Sequence, residues 1–102
     1  MFDIRKIQKG LDSGEAVLID VRTGDERLSD GYADGSLHLD LARLNGGVLP
    51  ECSKDTDIYV YCRSGGRAGM ACQLLEAAGF SSVSNIGGLH DWVEAGGKVE
   101  RQ

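Results

Sequence analysis

The run Tyr59-Val60-Tyr61-Cys62-Arg63-Ser64-Gly65-Gly66-Arg67-Ala68 carries an apolar stretch onto a cysteine, then through a glycine-bearing basic turn into a helix-compatible segment. That order suits a thiolate facing an anion. Arg63 to Arg67 are small, flexible or cationic, so their backbone N–H groups can curl toward one point as an anion-binding nest with Cys62 at its centre. A helix beginning near Arg67 adds roughly half a positive charge at its N-terminus, and the two arginine side chains add more. Each contribution favours thiolate over thiol. Cys62 is therefore the candidate nucleophile, and Arg63, Ser64, Gly65, Gly66 and Arg67 are the candidate anion-binding residues.

The 102 residues, 41% hydrophobic and 26% charged with a single proline, suit one globular domain over residues 1–102. At this length a core forms without disulfide staples. The formal charge of −5 argues against long-range attraction to nucleic acid or an anionic membrane. A cationic loop on an acidic body points instead to a small anionic ligand. The first ten residues lack the continuous apolar stretch of a signal peptide, and no run approaches the roughly 20 apolar residues of a membrane span. The default expectation is a cytoplasmic monomer. Three cysteines, at 52, 62 and 72, with no Cys-x-x-Cys, argue against a disulfide framework. Cys72 reads as a small apolar helix residue and Cys52 as an exposed bystander. His38 and His90 lack metal-ligand spacing. Gly65, Gly66 and Gly69 match neither a dinucleotide fingerprint nor a P-loop, so neither a metal nor a cofactor is expected.

The elements that must position the loop follow from periodicity. Asp3 caps a helix from Ile4 to about Leu11, closed by Asp12-Ser13-Gly14. Ala16 to Val21 is an apolar run of the kind buried on both faces of a parallel sheet. Thr23 to Glu26 opens a short helical piece, and Leu37-His38-Leu39-Asp40-Leu41 alternates as a strand. Asp57 to Cys62 is a β-branched and aromatic strand. Arg67 to Ala78 follows as a helix with Met70, Ala71, Leu74, Leu75 and Ala78 on its apolar stripe, capped by Gly79. Ser82 to Ile86 gives a last strand, and Leu89 to Ala95 a last helix before Gly96-Gly97. Strands alternating with helices predict a three-layer α/β domain with a mainly parallel four- or five-stranded sheet flanked by helices. Cys62 and Asp20 both fall at carboxyl ends of strands, where such sheets open a crevice.

Three segments, in this order, resemble the single-domain rhodaneses, sulfurtransferases that carry sulfane sulfur as a cysteine persulfide. They are Val17-Leu18-Ile19-Asp20-Val21-Arg22, the Cys62 to Arg67 loop, and Gly87-Gly88-Leu89-His90-Asp91-Trp92. The resemblance implies that Cys62 takes the outer sulfur of an anionic donor such as thiosulfate. The sulfur then passes to cyanide or a thiol acceptor, and a partner protein's persulfide is an equally compatible donor. It also implies that Asp20 braces the active-site loop while Arg22 anchors a surface ion pair with Glu26. From their places at the strand end, Asp20 and Arg22 are expected to point in opposite directions, so that they do not both face Cys62. The chain departs from the family at Gly31-Tyr32-Ala33-Asp34-Gly35-Ser36, where a Gly-His-Ile and Gly-Ala pattern is usual. Two rivals remain. Cysteine phosphatases and arsenate reductases also place a thiolate in an anion-binding loop, but with five residues between cysteine and arginine, whereas four separate Cys62 from Arg67. Rhodanese-like domains also serve as non-catalytic binding modules, and those usually lack the cysteine.

Overall fold

The computed structural model describes residues 2–101. Asp3 does cap the first helix, α1 (Ile4–Ser13), its carboxylate accepting from the Arg5 and Lys6 N–H groups, and Gly14 closes it in the left-handed region. Strand β1 (Ala16–Asp20) follows, then α2 (Gly24–Asp30), β2 (Tyr32–Ala33), β3 (Ser36–His38), α3 (Leu41–Asn45), β4 (Asp57–Cys62), α4 (Gly66–Ala77), β5 (Ser82–Gly88), α5 (Leu89–Glu94) and β6 (Val99–Glu100).

Four strands form one sheet in the order β3-β1-β4-β5, each pair parallel. The continuous apolar runs in β1 and β4 are explained by burial on both sides. On one face Ile19, Val21, Ile58, Val60 and Cys62 pack with Leu44 of α3 and with Ala68, Ala71 and Leu75 of α4. On the other, Leu18, Tyr61 and Ile86 pack with Ile7 of α1 and Trp92 of α5. The expected three layers, with a mainly parallel four-stranded sheet between helices, are therefore present.

Two expectations need correction. The alternating run at 37–41 is a strand only to His38; Leu37 faces solvent, and Asp40 turns the chain by capping α3 through the Arg43 N–H. Met70 lies off the buried stripe of α4, which uses Ala68, Ala71, Cys72 and Leu75 instead. The atypical segment at 31–36 pairs Tyr32-Ala33 antiparallel with Val99-Glu100, a ribbon outside the main sheet. Gly31 is required there: its φ is +79° and a Cβ would collide with the Val99 side chain and the Glu100 carbonyl.

Leu75 is fully buried between α4 and the sheet. Leu75→Ala should lower unfolding free energy by about 2–5 kcal/mol through lost burial and the cavity left behind. The urea midpoint checks this, and a shift near zero contradicts the packing described.

Candidate active site

Cys62 ends β4 and is buried, its Sγ accepting a hydrogen bond from the Gly65 N–H at 2.9 Å. Gly65 is the N-cap of α4 with φ +101°, and no side chain caps the first turn of that helix. The positive end of α4 is thus turned toward the sulfur, as the sequence led us to expect. Arg63, Ser64 and Gly66 are exposed and Arg67 is partly buried, so the loop forms an outward-facing rim over the sulfur.

The loop is held from below by β5. The register of β4 against β5 slips between Val60 and Cys62: Val60 pairs with Asn85 but Cys62 with Gly88. The extra residue makes a bulge, and Gly87 adopts φ +94° within it. Asn85 exploits the bend, donating from Nδ2 to the Gly65 carbonyl at 3.0 Å and accepting the Gly87 N–H on Oδ1 at 2.8 Å. Gly88 lies so close under the loop that a Cβ would overlap the Arg63 carbonyl. Its N–H donates to Asp91 Oδ2 at 2.8 Å. The Gly87-Gly88 pair is therefore the seat of the loop. Asn85 was missed by sequence reasoning; its only signal was an amide in a strand two residues before a Gly-Gly.

The two loop arginines differ. Arg63 makes no ion pair among the described residues. Arg67 is engaged: Nη1 and Nη2 donate to Glu26 Oε1 and Oε2 at 2.7 and 2.8 Å. Glu26 is itself fixed by a capping box, accepting the Thr23 N–H at 3.0 Å while the Thr23 hydroxyl accepts the Glu26 N–H. The Arg67 hydrogen bond holds the Glu26 carboxyl at about 2, well below its ordinary 4.5. Glu26 thus pairs with Arg67 and not with Arg22, contrary to the sequence expectation.

Arg22 is not a surface residue. It is buried with Asp20, donating from Nε and Nη2 to the two carboxylate oxygens at 3.0 and 2.8 Å, and again from Nη2 to the Gly31 carbonyl at 2.7 Å. The expected divergence of the two side chains fails because residues two apart share one side of an extended chain. Both lie on the Tyr61 side of the sheet, whereas Cys62 packs on the opposite side. Asp20 does not touch the loop. Its carboxylate accepts from Arg22, from Arg27 Nη1 at 3.0 Å and from the Tyr61 hydroxyl at 2.8 Å, so it braces the residue preceding Cys62. Burial alone would raise the Asp20 carboxyl, but the bonds from Arg22 and Tyr61 outweigh it and hold it below the ordinary value. Burial, reinforced by the Asp20 charge, pushes the Tyr61 hydroxyl up to about 12. Arg27 and Tyr61 were not singled out from sequence: an arginine seven residues downstream and a tyrosine on another strand carry no local mark of a shared partner.

The remaining candidates stay outside the site. Burial, with Glu76 nearby, pushes the Cys72 thiol up to about 11, consistent with a packed helix residue. Cys52 is half-buried against the same core and not an exposed bystander. His38 Nε2 lies 2.7 Å from the Arg22 carbonyl, and His90 pairs with Glu94 on the exposed side of α5.

The sequence model described as Rhodanese-like domain matches residues 3–95. A sulfurtransferase of Allochromatium vinosum is 34% identical over 90 residues, covering 87% of this chain and 82% of that protein. The thiosulfate sulfurtransferase PspE of Escherichia coli is 30% identical over 74 residues, covering 72% and 70%. The crystal structure of a rhodanese-like domain from an Anabaena protein superposes with a TM-score of 0.74 at 32% identity, covering 83% of this chain and 98% of that one.

Two outcomes follow from the charges. Asp20→Asn removes the buried counter-charge of Arg22 and Arg27, leaving Arg22 only the exposed Asp30 carboxylate at 4.0 Å, and should cost about 3–5 kcal/mol in urea unfolding; a loss below 1 kcal/mol contradicts the role given to Asp20. Between pH 4.5 and about 2 the folded chain binds fewer protons at Glu26 than the unfolded chain does. The stability from the Glu26–Arg67 pair is therefore whole above pH 4.5 and lost as the pH falls toward 2. Glu26→Gln should cost about 1 kcal/mol at neutral pH, as suits a partly exposed pair. Its deficit against the parent should close in acid, and a deficit that widens there contradicts the assignment.

Proposed function

This chain belongs to the rhodanese-like domain family, and on that premise we propose that it is a sulfurtransferase working through a persulfide on Cys62. The observation that carries the reading is the Gly65 N–H donated to Cys62 Sγ at 2.9 Å, at the N-terminus of a helix with no side-chain cap. Such a site stabilises negative charge on sulfur in two states, the attacking thiolate and the persulfide that replaces it.

In the first half-reaction the Cys62 thiolate attacks the outer sulfur of thiosulfate. The new S–S bond forms as the S–S bond of the donor breaks, and sulfite departs with the electron pair. In the second, cyanide or a thiolate takes the terminal sulfur, giving thiocyanate or a new persulfide and returning Cys62 as thiolate. Both steps conserve charge and need neither cofactor nor external oxidant. Arg63, with no carboxylate partner among the described residues, attracts the anion at the rim. The Gly65 N–H and the uncapped first turn of α4 stand at the sulfur, where charge develops. No separate base is needed for a nucleophile that reacts as thiolate.

The four-residue spacing from Cys62 to Arg67 also supports sulfur transfer over phosphate-ester hydrolysis, because a shorter loop leaves less room for a tetrahedral phosphate than one with five intervening residues. The cysteine itself favours catalysis over a purely binding role. The physiological reading includes a thiol acceptor, with a protein persulfide as an alternative donor, and a monomer in the cytoplasm.

Intact mass of the reduced protein after incubation with thiosulfate tests the proposal. It should rise by one sulfur atom, fail to do so in Cys62→Ser, and return to the starting value with release of thiocyanate when cyanide is added. No gain on a chain whose Cys62 is shown to be reduced overturns it.

A further inference from the structure

Of the two arginines in the loop, Arg67 is spoken for. Glu26 reaches both of its terminal nitrogens at 2.7 and 2.8 Å, and Glu26 cannot readily swing away because the capping box with Thr23 holds the same carboxylate. The pair is only partly exposed, with the arginine side chain 34% and the glutamate 21% accessible. Its charges are thus screened less than those of a free surface pair. Arg67 stands in the first turn of α4, five residues after Cys62, and its guanidinium is held above its ordinary value first by the Glu26 hydrogen bond and also by attraction to Glu26 and Cys62. Asp91, the carboxylate beneath the loop, is turned to the Gly88 N–H. Among the described residues Arg63 remains as the loop's side-chain cation without a carboxylate partner.

We propose that Glu26 is a specificity-determining, positioning residue: by neutralising Arg67 it shifts the charge preference of the Cys62 loop from dianionic toward singly charged sulfur donors, of which the alkanethiosulfonates are the simplest. The inference rests on the sulfurtransferase reading for its substrate class, but the charge preference itself is a property of the loop. With such a donor the Cys62 thiolate bonds to the terminal sulfur, the bond from that sulfur to the sulfonyl sulfur breaks, and alkanesulfinate leaves with the electron pair. Two negative charges stand on each side and nothing else is consumed.

Sulfate and methanesulfonate are tetrahedral oxyanions differing by one charge, so they isolate the effect. The readout is protection of Cys62 from iodoacetamide at fixed ionic strength, with Cys52 in the same chain as reference. Glu26→Gln should lower the half-protecting concentration of sulfate, relative to that of methanesulfonate, by about threefold or more, the size expected of one partly screened charge. Glu26→Asp keeps the charge and should keep the parent ratio, an outcome that a purely structural role would not produce. Equal changes for both anions, or weaker protection by sulfate, in Glu26→Gln overturn the proposal. Should that variant fail to fold by near-ultraviolet circular dichroism, Arg67→Gln decides: the sulfate preference must fall below that of the parent, and an unchanged ratio overturns the proposal. The kcat/KM ratio for thiosulfate against methanethiosulfonate should follow the protection ratio. If neither donor loads Cys62 in the parent, the sulfurtransferase reading falls, while the protection ratios still judge Glu26.

Discussion

The buried carboxylate of Asp20 is the point on which the ordering of this site depends. A charge with no solvent exposure is tolerated only when it is matched, and here it is matched by two guanidinium groups and a phenol. Those partners come from β1's own extension, from α2 and from β4. Folding therefore cannot satisfy Asp20 without bringing these three segments to one place. Tyr61, the residue before Cys62, is fixed by that demand, and so is the helix that carries Glu26.

From this centre the constraint passes outward through contacts of decreasing burial. Arg27 anchors α2 to Asp20. One residue earlier on the same helix, Glu26 clamps Arg67 and so ties α2 to α4. On the far side of the loop, Asn85 and Gly88 close the seat beneath Arg63 and Gly65. Cys62 thus sits in a loop gripped from both flanks, with its sulfur accepting the Gly65 N–H at the N-cap of α4.

Much of the architecture was legible because it rests on local patterns. The strand Asp57–Cys62 matches its sequence reading residue for residue, since β-branched and aromatic side chains run unbroken to the cysteine. The capped start of α1 and the glycines at 65, 87 and 88 were equally marked, since only certain residue types meet those backbone demands. Where the pattern misled, a neighbour had intervened. Leu37, Leu39 and Leu41 alternate as a strand should, yet Asp40 caps a helix and ends it. Met70 fits the apolar stripe by spacing, but the buried face of α4 is centred on the small residues Ala68 and Ala71, which let the helix approach the sheet.

The sequence by itself determined the parallel α/β layering and the strand-to-helix turn that carries Cys62, because each arises from side-chain periodicity or from contiguous residues. Only the tertiary structure decided the pairing of charges. Glu26 and Arg67 stand 41 residues apart, as do Asp20 and Tyr61. Which cation meets which carboxylate is set by the approach of whole elements across the sheet ends, and Coulomb energy acts through space without regard to chain order. That choice left Arg63 without a carboxylate partner among the described residues and Arg67 paired with Glu26, a distinction that two arginines in one loop do not announce.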